Sequence, residues 1–278
     1  MTVSFAGLGL KFNINRIAFY FSGIPIYWYG IIIAFALAFG VVVATYFSKK
    51  LGEDTDIPLD LAIFCGPVAI ISARLYYVIF KLDYYINNPK DIFNLRAGGI
   101  AIYGAIIGAV VAAFIYCRFK KKNILKVFDI GSAGLITGQM IGRWGNFFNQ
   151  EAFGCNTKLP WGMISENTVS YLSELKSNGT HVNPDMPVHP TFLYESLWCM
   201  GILALLFVIL CKYRYRGQIF FASFALYGVG RFWIEGLRTD SLMLGPVRVS
   251  QALAFVFALV FGFLYFYCLK KAKEKQKL

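Results

Sequence analysis

The chain has 278 residues, of which 58% are hydrophobic and only 15% are charged, whereas soluble domains average about 45–50% and about 25%. A water-soluble fold of this size would need far more polar residues to cover its surface, so the composition excludes a soluble enzyme, a disordered chain and a fibrous repeat. In a soluble protein, the net charge of +12 would suggest binding to nucleic acid. In a membrane protein, positive charges in the loops instead reflect the orientation of the chain. We therefore predict no nucleic-acid partner.

Seven stretches of the chain are apolar for about 20 residues, the length that crosses about 30 Å of hydrocarbon. In chain order they run over 26–47, 58–80, 98–117, 128–148, 191–211, 217–237 and 249–269. The sequence therefore predicts an all-α polytopic membrane protein with a single membrane-embedded domain over 1–278. Residues 1–25 lack the pattern of a removable signal peptide, and we expect them to form an arm that lies on the membrane surface.

The positive charges of the loops predict how the chain is oriented in the membrane. The loops 48–57, 118–126 and 212–217 and the tail from Lys270 hold 15 Lys and Arg, and the alternate loops hold nine. Because cytoplasmic loops carry the excess of Lys and Arg, we predict an outside N-terminus and a cytoplasmic C-terminus. This orientation makes 149–190 an outward-facing loop segment, which at this length is either functional or a plain exposed linker.

The cysteines and histidines indicate no metal site and no cofactor. Of the six cysteines, all except Cys155 lie in or beside apolar runs, and none forms a CxxC pair. They are typical of small buried hydrophobic residues, and two histidines are too few for a histidine-based metal cluster.

Three arginines, Arg74, Arg143 and Arg231, lie inside predicted spans, where each costs about 2.5–3.5 kcal/mol on insertion scales. Internal salt bridges could explain any single one. However, the predicted orientation places nearly every polar side chain of the spans in the outer half of the membrane, namely Tyr27, Tyr29, Arg74, Tyr77, Tyr103, Arg143, His189, Tyr194, Glu195, Arg231, Glu235 and Arg238. Only Asp60 and Asp129 mark inner ends, where we expect them at or near helix starts as favourable N-terminal acids.

Helical spacing gathers these polar groups into two stripes. Arg143, Asn146 and Gln150 stand at i, i+3 and i+7, on one face of one helix. A second stripe holds Tyr227, Arg231, Glu235 and Arg238. Buried positive charge in excess of buried acid requires an anion, and arginine binds phosphate through its bidentate fork. The pattern predicts a pocket for a phosphate-bearing molecule, such as a phospholipid headgroup.

The run Gly142–Gly154 reads GRWGNFFNQEAFG. It resembles the signature G-R-x-G-N-F-x-N-x-E-x-x-G of the bacterial phosphatidylglycerol–prolipoprotein diacylglyceryl transferases, with each fixed position filled. Further features of that family stand at Tyr27–Gly30, Gly98–Gly99, His189–Glu195, Tyr227–Gly228, Arg231–Phe232, Glu235 and Ser250–Gln251. The resemblance covers nearly the whole chain.

The resemblance implies an enzyme of the bacterial cytoplasmic membrane, with membrane lipids around it and its site toward the outer leaflet. Such an enzyme moves the diacylglyceryl group of phosphatidylglycerol to the lipobox cysteine of a prolipoprotein that still carries its signal peptide. The products are a thioether-linked lipoprotein and glycerol phosphate. The acceptor thiol follows from the family alone.

The predicted site residues follow from this chemistry. Arg143 and Arg231 are expected to hold the charge that develops on the departing phosphate, and Asn146 to donate to the headgroup. Glu151 is expected to orient Arg143 or the glycerol hydroxyls, or to serve the helix end. The remaining substrate-binding predictions are Tyr29, Arg74, Gly154 and His189.

The base that takes the thiol proton stays open at this point. Some members of the family read H-G-G-L-I-G where this chain reads YGAIIG over 103–108, and the histidine has been regarded as a possible base. Tyr103, with an ordinary pKa of about 10, is a poor base at neutral pH. It is therefore a hydrogen-bond donor, or the base is His189 or Glu235, and His189 is equally compatible with a structural role.

Two other classes of protein compete with a transferase. An anion transporter also buries arginines, but it should carry polar groups through to the cytoplasmic side, and the inner halves of these spans are almost wholly apolar. A lipid-binding scaffold would not need Asn146 and Glu151 beside three arginines.

Overall fold

The computed structural model of the chain describes residues 1–94, 98–239, 243–245 and 247–276, and within them it contains nine α-helices. In chain order these are α1 (Trp28–Lys50), α2 (Ile57–Ile79), α3 (Leu82–Asn87), α4 (Ile102–Phe119), α5 (Ile124–Asn149), α6 (Glu166–Ser177), α7 (Thr191–Cys211), α8 (Gln218–Leu237) and α9 (Val249–Lys275). Arg96 and Lys277, which entered the charge comparison of the loops, lie outside the described residues.

The predicted all-α membrane architecture is confirmed, because a long helix stands at each of the seven predicted spans. Six helices, α1, α2, α4, α5, α7 and α9, are long and apolar enough to cross a membrane. The remaining long helix, α8, does not reach the same hydropathy, since it carries Gln218, Arg231 and Glu235. The number of crossings and their orientation stay predictions.

Helix α5 lies at the centre of the helical packing and contacts α1, α7 and α8. The α1–α5 contact is close because Gly40 and Gly134 face each other: a Cβ added at Gly40 would lie 2.9 Å from the carbonyl oxygen of Gly134. Buried apolar side chains of all four helices, such as Phe47, Ile136, Leu206 and Ile219, fill the space between them. The packing places the C-terminal turns of α5 beside the start of α7 and the end of α8.

Asp129 corrects one sequence-based prediction. It does not stand at the start of its own helix, because α5 begins five residues earlier at Ile124. The carboxylate is fully buried and accepts hydrogen bonds from the backbone N–H groups of Gly217 (2.7 Å) and Phe220 (2.8 Å) and from the hydroxyl of Tyr213 (2.7 Å). Asp129 therefore caps the N-terminus of α8, a neighbouring helix, whose unpaired N–H groups favour an acid.

The N-terminal arm forms two β-hairpins, which the sequence did not predict. Strand β1 (Thr2–Phe5) pairs antiparallel with β2 (Leu10–Asn13), and β3 (Ile17–Phe21) pairs with β4 (Ile24–Tyr27), which leads directly into α1. Phe19, Tyr20 and Phe21 are exposed, as expected of a segment in contact with the membrane interface. The position of the arm on the membrane stays a prediction.

The segment 149–190 carries structure of its own. It contains β5 (Ile164–Ser165), which adds to the free edge of β1, and α6, which begins with a capping box between Ser165 and Thr168. Val3 of the arm packs with Met163, Leu172 and Val188 of the segment in one buried cluster. The arm and the segment therefore form a small folded lobe next to the C-terminal end of α5. A further hairpin, β6 (Met243–Leu244) and β7 (Val247–Arg248), precedes α9.

Candidate active site

Two arginines from different helices bind the same buried carboxylate. Arg143 of α5 donates from Nη2 to Glu195 Oε1 at 2.5 Å, and Arg231 of α8 donates from Nη1 to Glu195 Oε2 at 3.1 Å. The hydroxyl of Tyr227 also donates to Glu195 Oε1, at 3.0 Å. Glu195 belongs to α7 and its side chain is only 4% exposed. One carboxylate thus holds Arg143 and Arg231 side by side.

A second carboxylate balances the charge of this cluster. Nη2 of Arg231 lies 2.6 Å from Oε2 of Glu235, one turn further along α8, as an ion pair. Two arginines and two glutamates are together neutral, so the expected excess of buried positive charge is not found at Arg143 and Arg231. Burying an unpaired charge is costly, and the carboxylates of Glu195 and Glu235 remove that cost in the protein without substrate.

The Arg143 guanidinium keeps an unused donor. Its Nε is buried and has no hydrogen-bond partner among the described residues, while its Nη2 also contacts Gln139 Oε1 at 3.2 Å. The side chains of Arg143 and Arg231 are each 18% exposed. A buried donor without an acceptor costs about 1–3 kcal/mol, so an oxygen-rich anion that reached Arg143 would be stabilised there.

Asn146 lies on the predicted stripe with Arg143 but belongs to a different hydrogen-bonded group. Its side-chain amide donates to Glu151 Oε1 at 2.9 Å, and that of Asn149 donates to the same oxygen at 3.3 Å. Glu151 thus forms no hydrogen bond or ion pair with Arg143, one of its two predicted partners, in the described part of the chain. Gln150, the third member of the stripe, follows the last residue of α5 in the left-handed conformation and is buried, with no described partner for its amide.

An open cavity of about 810 Å³ lies beside this second group, between the start of α1 and the end of α5. It is lined by Tyr27, Tyr29, Gly30, Asn149 and Glu151 and by neighbouring residues of β4 and α1. The ring of Tyr29 packs on Gly145, where an added Cβ would lie 2.8 Å from the ring. Tyr29 and Glu151, two predicted substrate-binding residues, are therefore brought together at one cavity.

Arg16 is a residue of this cavity that sequence reasoning missed. It comes from the N-terminal arm, immediately before β3, and its Nη2 donates to the carbonyl oxygen of Asn149 at 2.7 Å. No periodic pattern connects Arg16 with the signature, because the contact depends on how the hairpins fold back over α5. The arm thereby holds the end of α5, the signature helix, which carries most of the Gly142–Gly154 signature.

Gly154 is required by the packing of three segments. Its N–H donates to the carbonyl oxygen of His189 at 2.9 Å, and the N–H of Cys155 donates to that of Leu237 at 2.7 Å. A Cβ at Gly154 would lie 2.7 Å from His189 Cβ and 3.0 Å from the carbonyl oxygen of Leu237. The structure thus gives Gly154 the role of a close-approach glycine that joins the signature to the start of α7 and the end of α8.

Arg74 does not join the Arg143–Arg231 cluster. Its five N–H donors are all used by backbone carbonyl oxygens, at distances from 2.5 to 3.1 Å, and it is only 6% exposed. The acceptors are the carbonyls of Asp91, Ile92, Asn94, Gly98 and Gly99. Arg74 therefore holds the chain that leads into α4, and its predicted contact with substrate would require it to leave these carbonyls.

Tyr103 stands in the first turn of α4, shortly after the carbonyls that Arg74 binds. It is partly exposed, and no described residue forms a hydrogen bond with its hydroxyl. The hydroxyl is therefore available to a ligand, and none of the charged side chains that the structure describes is bound to it.

Glu195 and Tyr227 complete the cluster but were absent from the predicted site residues. A signal for both was present in the sequence, since Glu195 ends the His189–Glu195 motif and Tyr227 opens the stripe of α8. An acid inside an apolar span next to spans that carry arginines indicates an ion pair. The rule that a buried charge needs a partner would have placed Glu195 between Arg143 and Arg231.

Comparison with known proteins identifies the family of the chain. A family model described as prolipoprotein diacylglyceryl transferase matches residues 16–267, which include Arg16, the signature helix α5 and all three helices of the ion-pair cluster. The chain belongs to this family. The match begins at the arginine that binds the end of the signature helix and continues through the seven long helices to α9.

Curated members of the family are similar to this chain over most of its length. A protein of Clostridioides difficile (strain 630) is 43% identical over 87% of this chain and 90% of its own length. One of Bacillus cytotoxicus is 42% identical, covering 89% of both chains, and one of Clostridium botulinum (strain Langeland) is 40% identical, covering 94% of this chain and 99% of its own. All three are named phosphatidylglycerol–prolipoprotein diacylglyceryl transferase, and this chain is accordingly a membrane-bound transferase.

Proposed function

We propose that the chain transfers the diacylglyceryl group of phosphatidylglycerol to the lipobox cysteine thiol of prolipoproteins, the first step of lipoprotein maturation. The observation that carries this proposal is the pair Arg143 and Arg231, held together by Glu195 with the Arg143 Nε unpaired. The sulfur–carbon bond forms as the carbon–oxygen bond to the phosphate breaks, and glycerol phosphate leaves.

The arginine pair suits the phosphate of the donor lipid. A guanidinium presents several donors in a fixed plane that matches phosphate oxygens. As the carbon–oxygen bond breaks, negative charge grows on the phosphate, and donors fixed in a site of low dielectric constant stabilise that charge most strongly. Glu195 fixes both arginines before the substrate arrives, so little reorganisation is needed during the reaction.

Glu151 suits the free hydroxyls of the glycerol headgroup. Two amides, from Asn146 and Asn149, orient its Oε1, and the carboxylate lines the open cavity together with Tyr29. A carboxylate accepts hydrogen bonds from hydroxyl groups. Asn146 therefore acts through Glu151, in addition to any direct contact with the headgroup.

The acceptor thiol must lose its proton before or during attack, because the thiolate is the nucleophile. The residues considered for that proton are Tyr103, Glu235 and His189. Glu235 is buried beside Arg231, within the cluster that we assign to the phosphate. The hydroxyl of Tyr103 binds none of the described residues, and we assign it the role of a hydrogen-bond donor to the headgroup.

We place the protein in the bacterial cytoplasmic membrane with the site in the outer half of the bilayer. The supporting argument is the excess of Lys and Arg in the loops after α1, α4 and α7 and in the C-terminal tail. The 149–190 segment and the N-terminal arm then lie on the outer side as one lobe, next to the end of α5 that bears the signature.

An assay in lipid nanodiscs tests the function directly. Purified protein receives phosphatidylglycerol and a lipobox peptide, and release of glycerol phosphate is followed together with the mass of the peptide. We expect one diacylglyceryl group per peptide for each glycerol phosphate released. The matched controls are phosphatidylethanolamine as donor and a peptide with serine in place of the lipobox cysteine. Equal release with the serine peptide would exclude transfer to the thiol, and no release with either peptide would favour a non-catalytic lipid-binding protein.

A further inference from the structure

A chain of three side chains links Trp161 and His189 of the 149–190 segment through Tyr194 of α7. Nε1 of Trp161 donates to the hydroxyl oxygen of Tyr194 at 2.8 Å, and the same hydroxyl lies 3.1 Å from Nδ1 of His189. The rings of His189 and Tyr194 are in edge contact, with centroids 5.9 Å apart. These three residues form a group separate from the ion-pair cluster, although Tyr194 directly precedes Glu195.

The hydrogen bonds favour one arrangement of the protons in this group. An indole nitrogen can only donate, so Tyr194 accepts from Trp161. The single proton of the Tyr194 hydroxyl then has one described acceptor within reach, Nδ1 of His189. A nitrogen that accepts carries no proton of its own, and a neutral imidazole with an unprotonated Nδ1 carries its proton on Nε2.

Backbone contacts fix the position of His189, and burial favours its neutral imidazole. The N–H of His189 donates to the carbonyl oxygen of Cys155 at 3.0 Å, and its own carbonyl accepts from Gly154. His189 is half-buried, and this burial lowers the pKa of its imidazole below the usual value. Its Nε2 has no hydrogen-bond partner among the described residues.

We infer that His189 serves the reaction as a neutral hydrogen-bond donor through Nε2–H, and that it is not the base that takes the thiol proton. A base needs a free lone pair, and the one lone pair of this tautomer lies on Nδ1 and is used by Tyr194. Nε2–H offers a proton to an acceptor oxygen of a bound substrate. The donation to a substrate rests on the proposed function, whereas the tautomer of His189 does not. The candidates for the base were Tyr103, His189 and Glu235. Without His189, Glu235 is the remaining alternative to Tyr103.

Nitrogen NMR tests the tautomer without any assay of activity. The chain has only two histidines, so labelling histidine with ¹⁵N gives signals from His189 and His181 alone, and His181→Gln, a change at an exposed position, assigns them. We expect His189 to show an unprotonated Nδ1 and a protonated Nε2 at neutral pH. Tyr194→Phe and Trp161→Phe should each produce a mixture of both tautomers. Protonated Nδ1 in the unaltered chain, or an unchanged tautomer in both variants, would overturn the inference.

Two substitutions of His189 test the donor role. The amide nitrogen of glutamine reaches the place of Nε2, and that of asparagine reaches only the place of Nδ1. His189→Gln should therefore keep catalytic efficiency within about threefold, and His189→Asn should lose on the order of tenfold, the worth of about one hydrogen bond. Equal loss in both, or no loss in either, would contradict a donor at Nε2.

The same two variants identify which substrate supplies the acceptor oxygen. If it belongs to the lipid, the loss in His189→Asn appears as a raised KM for phosphatidylglycerol, and if it belongs to the peptide, as a raised KM for the peptide. If the unaltered chain transfers nothing, the proposed function fails while the NMR result still decides the tautomer.

Discussion

Arg143 Nη2 lies 2.5 Å from Glu195 Oε1, although 52 residues separate the two along the chain. This contact joins the signature helix α5 to α7, and Nε of Arg143 has no acceptor among the residues that the structure describes. The same carboxylate reaches Arg231 of α8. Glu195 thus joins two cations from different helices, each costly in a membrane, in one buried ion-pair cluster.

Substitution Glu195→Gln should impair both stability and transfer. An amide cannot neutralise two guanidinium groups, and removing one partner of a buried ion pair costs about 3–5 kcal/mol. Arg143 and Arg231 would then also lose their fixed separation. We expect a lower melting temperature in detergent and a loss of most of the transfer rate, with Glu174→Gln, at an exposed position of α6, as the unaffected control. An unchanged melting temperature would contradict the assigned role of Glu195.

Substitution Arg74→Lys separates a structural from a substrate-binding role. A lysine has three donors and cannot reach the five carbonyls that Arg74 binds. We expect faster proteolysis between α3 and α4 and an unchanged KM for phosphatidylglycerol, while Arg118→Lys, at an exposed position, changes neither. A raised KM with unchanged proteolysis would instead support the substrate contact that the sequence predicted.

Substituted cysteines test the orientation in the membrane. After replacement of the native cysteines, above all the exposed Cys155, Lys176→Cys should react with an impermeant thiol reagent applied from outside. Lys120→Cys should react only after the membrane is opened, because it lies in the loop with the greatest positive charge density. The reversed pattern would move the lobe and the signature end of α5 to the cytoplasmic side.

Substitution Tyr103→Phe tests the donor role of this tyrosine. Because its hydroxyl has no described partner, the change should leave the melting temperature nearly unaltered. A lost hydrogen bond to a charged group is worth about 1.5–3 kcal/mol, or on the order of 10- to 150-fold in rate. Rate–pH profiles parallel to those of the unaltered chain fit a donor. Profiles that converge above about pH 8.5, where the acceptor thiol ionises unaided, would identify Tyr103 as the base.

The helices could be predicted because length and hydropathy are local properties of the sequence. The partner of a buried polar group is not local. Asp129 looked like the first acid of its own helix, yet it caps α8, and Arg74 looked like a binding residue, yet backbone carbonyls use all its donors. Both depend on which segments fold together.

The signature shows a second limit of helical spacing. Arg143 and Asn146 are three residues apart and share a face of α5, but their side chains differ in reach. The long Arg143 side chain extends to Glu195 on α7, whereas the short Asn146 side chain bonds Glu151 just beyond its own helix. Spacing predicted the face, and the length of each side chain decided the partner.

The strands of the arm were missed because each has only four or five residues. Such short segments bury little surface and carry weak periodicity. The first hairpin also depends on distant residues, since β1 pairs with β5 and Val3 packs with Leu172.

The most direct test of the account is the transfer rate of Arg143→Lys and Arg143→Ala in nanodiscs with phosphatidylglycerol and a lipobox peptide. Both variants are first shown to be inserted and folded by their melting curves. We predict no measurable release of glycerol phosphate by Arg143→Ala and only slow release by Arg143→Lys, because a point charge does not replace the fork of a guanidinium. Turnover by a folded Arg143→Ala at the rate of the unaltered chain would contradict the assignment of the phosphate to the arginine pair.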